Sequence, residues 1–282
     1  MGNPHKGAGV DKSTFVGIVL AIAGIVVGLL LEGGKLAQII QPTAAMIVFG
    51  GTIGAVMVQF PLPVVWKAFR CFGHIFFRRR PDSAQKIADL VGYAMKARRQ
   101  GLVSLDAELN EIDDPYLKKL LTLAVDGTEP HELRKLMELE LDNKAERDDY
   151  IPRVFESAGG FAPTIGIIGA VLGLIQVMQH LDNMNEVGKG IAVAFVATIY
   201  GVGSANLLFL PAAGKLKIRM REEQLLQEMT LEGVVSILEG INPRTLETKL
   251  LSFLSEHEQK ANTGGYRRNL DRMDRLDAKE SK

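Results

Sequence analysis

Two prolines and a threonine stand out in the long apolar stretches of this chain. Pro163 and Pro211 each remove a backbone N–H donor from a predicted helix, which frees a carbonyl oxygen. In a membrane, a neighbouring group or a wet cavity can satisfy such a carbonyl, and a static kink is the alternative. The hydroxyl of Thr198 either lines a wet path or bonds its own i−4 carbonyl, and the second interpretation is favoured. The chemistry that these residues could support is the passage of an ion.

Asp, Glu, Lys, Arg and His are absent from the same stretches at membrane depth. Proton pumps and ion-coupled carriers normally keep a charged group at membrane depth, although its insertion costs roughly 2.5–3.5 kcal/mol. This chain alone therefore has no obvious ion carrier. Its single cysteine, Cys71, excludes an internal disulfide, and its five scattered histidines predict no metal site. No nucleophile–base set or phosphate-binding loop is present, so an enzyme is the least supported class.

Four uncharged apolar segments dominate the hydropathy pattern. A helix needs about 20 apolar residues to cross a bilayer core, with about 17 to 25 tolerated, and all four segments qualify. The first could be a secretory signal, but no small-residue cleavage site precedes Glu32, so we interpret it as a retained span. Zero net charge argues against a nucleic-acid partner. The segments are Phe15–Leu31, Pro42–Val65, Ala158–Gln179 and Ile191–Gly214.

Basic residues are concentrated after the second and the fourth segments, whereas Lys35 and Lys189 are the only ones in the other two loops. The positive-inside rule then predicts that both termini are cytoplasmic. We expect a disordered tail because the last residues are polar and charged. The predicted regions are a cytoplasmic N-terminus (1–14), spans one and two (15–66), a cytoplasmic domain (67–157), spans three and four (158–214), a cytoplasmic extension (215–257) and the tail (258–282).

The region between the second and third spans has helical periodicity throughout. We predict one helix ending at Gly101, a second starting at Pro115 and ending before Gly127, and a third from Pro130 towards the third span. A fourth continues from the fourth span to Gly240, and Asn242-Pro243 caps a last one. The expected fold is an all-α integral membrane protein with four transmembrane helices, a helical cytoplasmic domain between helices 2 and 3, and a cytoplasmic extension of helix 4. The predicted core stripes are Ile87, Leu90, Val91 and Ala94; Leu117, Leu120, Leu121 and Ala124; and Leu133, Leu136 and Met137.

Two arginines and an aspartate lie at the end of the first of these cytoplasmic helices. Arg98 and Arg99 fall in its last turn, and Asp106 follows in the next turn. Basic charge there complements the helix dipole, so a purely structural role is an alternative to binding. Helical spacing puts Arg98 in line with Ile87 and Ala94, so we expect it to be partly packed.

Glycines line one face of the third span. Gly166, Gly169 and Gly173 leave that face nearly free of side chains, which admits another backbone closely. Packing within the chain explains this face as well as contact with another protein does.

Residues 160–174 read GFAPTIGIIGAVLGL and residues 197–201 read ATIYG. With the four-span layout, they make the chain resemble the flagellar stator A subunits, the MotA/PomA family, from span one to Pro243. The resemblance implies a pentamer in the bacterial inner membrane around two MotB-like B subunits. Their single membrane helix would supply the ion-binding aspartate that this chain lacks.

The resemblance also assigns roles to single residues. It makes Pro163 and Pro211 the torque-linked prolines. Arg98, Arg99 and Asp106 become the contacts to the rotor switch protein FliG, with less reach at Asp106 because several members have Glu there. The ion path and partner-helix contact would comprise Pro163, Gly166, Ala170, Gly173, Thr198 and Tyr200.

Sodium-driven members carry a threonine where this sequence has Ala170. Because a dehydrated sodium ion needs hard oxygen ligands, the missing hydroxyl predicts a proton as the transported ion, with no cofactor. Two alternatives stay open. An ExbB/TolQ-like energiser subunit would have three spans with its N-terminus outside, and a passive membrane scaffold would conduct no ions.

Overall fold

The computed structural model describes residues 9–10, 12–75, 77–78 and 83–254. The predicted tail and most of the predicted N-terminal region lie outside them. Helices account for nearly all of the described structure, as expected. The exceptions to the all-α prediction are two short strands, β1 (Gly9–Val10) and β2 (Phe77–Arg78), which pair antiparallel.

The chain divides into two compact units. The membrane unit comprises residues 1–79 and 146–220, and the extramembrane unit comprises residues 80–145 and 221–282. Among the described residues, four helical stretches are long and apolar enough to cross a membrane, and each contains most or all of one predicted segment.

The first two spans differ in their regularity. Helix α1 (Lys12–Leu31) is unbroken, whereas the second span consists of α2 (Pro42–Ala45), a π segment (Met46–Gly50) and α3 (Gly51–Gln59). The predicted apolar segment 42–65 is not one helix. Phe60 is extended, with φ −120° and ψ 143°, because the following proline disfavours helical backbone there. The chain resumes in α4 (Leu62–Ile75).

The third and fourth spans are parts of much longer helices. Helix α7 (Pro130–Gln179) contains both Pro152 and Pro163 without ending. Helix α8 (Met184–Ser204) passes through a second π segment (Ala205–Phe209) into α9 (Leu210–Leu238). The predicted helical extension towards Gly240 is confirmed, with φ +72° at that glycine. Neither π segment was predicted from the sequence.

The extramembrane unit contains α5 (Ser83–Gln100), a 3₁₀ segment (Leu102–Glu108), α6 (Pro115–Val125) and α10 (Pro243–Leu251), together with the polar parts of α7 and α9. The predicted helix start at Pro115 and the predicted cap at Asn242-Pro243 are both confirmed. The Asp114 carboxylate accepts from the Tyr116 N–H at 2.9 Å, and Asn242 Oδ1 accepts from the Arg244 N–H at 3.0 Å. These bonds satisfy N–H groups that a helix start leaves unpaired.

Leucines dominate the core of this unit, and the predicted stripes of α5 and α6 are all buried in it. In the third stripe Leu133 and Met137 are buried, but Leu136 is 49% exposed. The prediction for Leu136 was therefore wrong. It is one position away from Met137, which faces the core.

Candidate functional site

Helices α7 and α8 touch through their backbones in the membrane unit. A Cβ atom added at Gly201 would lie 2.5 Å from the carbonyl oxygen of Ala162, and one at Gly173 would lie 2.7 Å from that of Gly190. Both distances are too short for any side chain larger than hydrogen. The two spans can approach this closely only because glycine is present at the contact points. We call this surface the glycine contact.

The glycine face predicted for a partner helix is thus occupied by α8 of the same chain. Gly166 would place a Cβ 2.9 Å from the Ala197 carbonyl oxygen, and Gly169 would place one 2.7 Å from the Ala197 Cβ. Packing within the chain, which the sequence left open, accounts for both positions and for Gly173. A contact of these glycines with another protein stays a prediction.

Pro163 lies at the closest point of the glycine contact. A Cβ at Gly201 would be 3.2 Å from the Pro163 Cα. The proline also removes the N–H that an α-helix would direct at the carbonyl of Gly159, and Gly159 in turn packs under Leu210. A missing backbone hydrogen bond and a near-bare backbone contact therefore coincide on α7.

Thr198 faces the same contact from α8, since a Cβ at Gly166 would lie 3.5 Å from its Cα. Its hydroxyl donates to the carbonyl of Ala194 at 3.2 Å. The favoured interpretation, an i−4 bond within its own helix, is confirmed. The oxygen keeps acceptor capacity, so the bond does not prevent it from receiving a hydrogen bond.

Tyr200 connects the fourth span to the start of the second. Its hydroxyl donates to the Ile39 carbonyl at 2.6 Å and accepts from the Gln41 N–H at 3.3 Å. Its ring lies 6.1 Å from that of Phe49. These contacts give Tyr200 a structural role that the sequence did not predict, because its partners lie some 160 residues away.

Pro211 lies apart from this group. It is ten residues beyond Gly201, about 15 Å along a helix axis, and its side chain is exposed. It follows the second π segment, where the Leu210 N–H donates to the Ala205 carbonyl instead of to an α-helical acceptor. The amide of Asn206 donates to the Val202 carbonyl at 2.9 Å. The sequence offered no signal for this local rewinding, which often marks functional positions.

The predicted rotor-facing residues lie on one turn of the extramembrane unit. Arg98 and Arg99 fall in the last turn of α5, and Asp106 is exposed in the 3₁₀ segment beyond Gly101. Gly101 ends the helix with φ +81°, a backbone conformation that favours glycine. Arg98 is exposed, so the expectation that it is partly packed was wrong. The helix ends two residues later, so Arg98 lies beyond the part of α5 that packs on the core.

Two contacts hold this charged turn against the rest of the unit. Leu105 is fully buried in the core, and Lys96 pairs with Glu108 at 2.5 Å. Arg98, Arg99 and Asp106 are therefore presented from a short segment anchored at both ends. We call these three residues the charged turn.

The carboxylates of Glu232 and Asp114 form ion pairs that the sequence did not predict. Burial alone would raise the pKa of Glu232, but hydrogen bonds and charge from Arg134 and Lys249 lower it below its usual value. Burial acts likewise on Asp114, whose pKa the Lys86 ammonium and two backbone N–H groups lower. In both ion pairs, which lie inside the extramembrane unit, the basic partner stabilises the charged form of the carboxylate. In the described part of the chain, no cluster of three or more His, Cys, Asp or Glu could hold a metal ion.

Comparison with known proteins gives two matching families. Residues 15–101 match the family described as motility protein A N-terminal, and residues 108–229 match the MotA/TolQ/ExbB proton channel family. The chain is 37% identical to motility protein A of Bacillus subtilis over 245 residues, which cover 86% of this chain and 91% of that protein.

Two solved structures are also similar. A C. jejuni MotAB structure superposes with a TM-score of 0.82 at 34% identity, covering 87% of this chain and 96% of the other. The flagellar MotAB stator complex of Bacillus subtilis gives a TM-score of 0.81 at 36% identity, covering 89% and 98%.

Proposed function

The chain belongs to the motility protein A family, the A subunits of the flagellar motor stator, and on this premise we propose how its residues couple proton flow to torque. It is a multi-pass protein of the inner membrane and not an enzyme. The observation that carries the proposal is the glycine contact, where Pro163 and Thr198 lie together in apolar segments without Asp, Glu, Lys, Arg or His. The group that carries the proton must then come from a partner.

A B subunit is the proposed source of that group. Relatives of this chain form MotAB complexes, and we propose that five copies of this chain surround two MotB-like helices that carry an aspartate. Since α8 fills the glycine face of α7, the partner helix meets the adjacent stripe. Pro163, Ile167, Ala170 and Leu174 follow one another at helical spacing there, half-buried or exposed.

The transported ion is a proton under this proposal, because Ala170 offers no oxygen ligand for sodium. One charge crossing about 150 mV releases roughly 3.5 kcal/mol, enough for one modest conformational step. A stator-deleted strain complemented with this chain and its B partner tests it. Swimming that does not depend on sodium and stops with a protonophore supports the proposal, whereas sodium-dependent speed contradicts it.

Thr198 is proposed to lie on the proton path, with its hydroxyl oxygen accepting from a passing donor. Thr198→Val keeps the shape and removes the oxygen, so proton flux through the assembled complex should fall. The matched control is Thr122→Val, which removes the same kind of i−4 hydroxyl bond, Thr122 to Lys118 at 2.9 Å, outside the membrane. Unchanged proton flux in Thr198→Val would mean that the hydroxyl of Thr198 only bonds within its own helix and does not lie on the proton path.

The charged turn is proposed to engage FliG on the rotor. Arg98→Asp reverses an exposed charge and should abolish swimming at normal protein levels. Lys135→Asp, which reverses another exposed charge of the same unit, should leave swimming intact. If the two variants swim equally well, the charged turn does not contact the rotor.

Both termini are proposed to lie in the cytoplasm. Epitope tags at either end should be reached by a membrane-impermeant reagent only after the inner membrane is opened. An N-terminal tag that reacts in intact spheroplasts would instead support the topology of an ExbB/TolQ-like subunit.

A further inference from the structure

An open groove of about 360 Å³ lies in the membrane unit, on the side of α9 that carries Pro211. Three elements form it: the first half of α1, the end of α4, and the second π segment with the start of α9. Its lining is apolar except near its ends. The lining residues are Thr14, Gly17, Ile18, Ala21, Phe72, Asn206, Leu207, Leu208, Pro211, Ala212 and Lys215.

The groove runs along two helical stripes. Thr14, Gly17 and Ala21 line it from α1, and Leu208 and Lys215 line it from the opposite wall. Each stripe spans seven residues, about 10 Å of helix. That length fits within one leaflet of a hydrocarbon core about 30 Å thick.

Lys215 stands at one end of the groove and is the first charged residue after the apolar segment that ends at Gly214. That position puts its ammonium at the bilayer surface, at the depth of lipid phosphates. The hydroxyl-bearing residue Thr14 also lines the groove and is the first polar residue before its apolar segment. The groove therefore has an apolar floor that can hold part of an acyl chain and a positive charge at headgroup depth.

We propose that this groove binds an anionic phospholipid, with an acyl chain along Gly17 and Ala21 and the headgroup phosphate at Lys215. The cytoplasmic leaflet is assigned because the inference rests on the proposed orientation of the termini. Basic pockets between membrane helices on that side favour acidic headgroups. The lipid then packs beside Pro211 and the π segment, where the helix geometry changes.

Space for the chain exists at Gly17. A Cβ added there would have no atom within 4 Å, so a side chain at this position can start into the groove without a clash. Gly24, on the same helix but outside the groove, has the same open surroundings and provides a matched control.

The test purifies the complex with its B partner in mild detergent and measures retained phosphatidylglycerol by native mass spectrometry. Lys215→Gln should lower retention about fivefold, the effect of one basic residue near an anionic surface, and Lys215→Arg should restore it. Gly17→Leu should lower it similarly. Lys217→Gln and Gly24→Leu, at positions that do not line the groove, should change it less than twofold.

Several results would overturn the inference. Equal retention of phosphatidylethanolamine, or equal losses in the controls, would mean ordinary annular lipid. Lost assembly in Gly17→Leu with unchanged lipid would mean that a second copy or the B subunit covers the groove. Because retention is measured without motility, a complex that binds lipid but never supports swimming contradicts the proposed function and leaves this site in place.

Discussion

Different interactions stabilise each of the two units internally. In the extramembrane unit, leucines such as Leu120 and Leu246 are fully buried, and ion pairs cross between helices. In the membrane unit, the apolar window of α1 contains no buried residue, and the closest contacts join backbone to backbone. Its ion pairs, such as Lys67–Asp148 and Lys217–Glu156, lie outside the four apolar segments.

The solvent explains this difference. Water makes burial of a leucine favourable by about 1.5–3 kcal/mol, so the extramembrane unit needs a large side-chain core. Lipid is as apolar as leucine, so helices in a bilayer gain little from that exchange and associate by close backbone packing. Large buried side chains therefore form the core of the extramembrane unit, whereas the contact between α7 and α8 in the membrane unit depends on missing side chains. The membrane unit adds a smaller side-chain core around Ile151 and Phe155.

The largest effect is expected where the membrane unit has no room. Gly201→Ala places a Cβ 2.5 Å from the Ala162 carbonyl, so the two spans must separate or the helices must shift. We expect loss of swimming in a complemented strain, with the membrane level of the protein measured in parallel. Gly203→Ala has open space and should swim normally. Normal swimming of Gly201→Ala would show that the glycine contact is not required.

In the extramembrane unit, truncation of a large buried side chain should have the largest effect on stability. Leu120→Ala leaves a cavity in the fully buried core and should destabilise the unit by about 2–5 kcal/mol, measured by denaturant unfolding of the full chain followed by circular dichroism. Leu136→Ala, at a half-exposed position, should cost well under 1 kcal/mol. Equal costs would show that burial in this core does not determine how much a leucine stabilises the unit.

A smaller effect is expected at the ion-paired carboxylate. Glu232→Gln weakens bonds to Arg134 and Lys249 and should cost about 1–3 kcal/mol at neutral pH. Since the folded-state pKa of Glu232 is lowered, its contribution is complete above the usual glutamate pKa and is lost as the pH falls through the lowered value. Unfolding measured against pH should show the wild-type advantage disappearing on acidification. A constant difference at all pH values would contradict this.

The smallest effect tests a polar contact inside the apolar unit. Tyr200→Phe removes the hydroxyl that joins Ile39 to Gln41 and should cost about 1 kcal/mol, with the ring packing on Phe49 kept. Hydrogen exchange near residue 41 should rise, while exchange in the extramembrane unit stays unchanged. No change near residue 41 would mean that the tyrosine acts by packing alone.

Local sequence patterns predicted much of this structure. Asp114-Pro115 and Asn242-Pro243 located two helix starts, and Gly101 located a helix end, because capping depends on neighbours in sequence. The four apolar segments likewise identified the four helical stretches that can cross a membrane, since length and hydropathy are local quantities. The resemblance of residues 160–174 and 197–201 to stator A subunits pointed to the family that the comparisons then showed.

The sequence by itself thus determined the four apolar spans, the helix starts at Pro115 and Pro243, the core stripes of α5 and α6, and the family. Only the tertiary structure decided that the glycine face of α7 packs on α8, that Tyr200 fastens the start of α2, and that Arg98 is exposed. Each of these depends on which surfaces meet after folding, between residues up to some 160 positions apart. Helical spacing gives the face on which a side chain lies, but not what that face contacts.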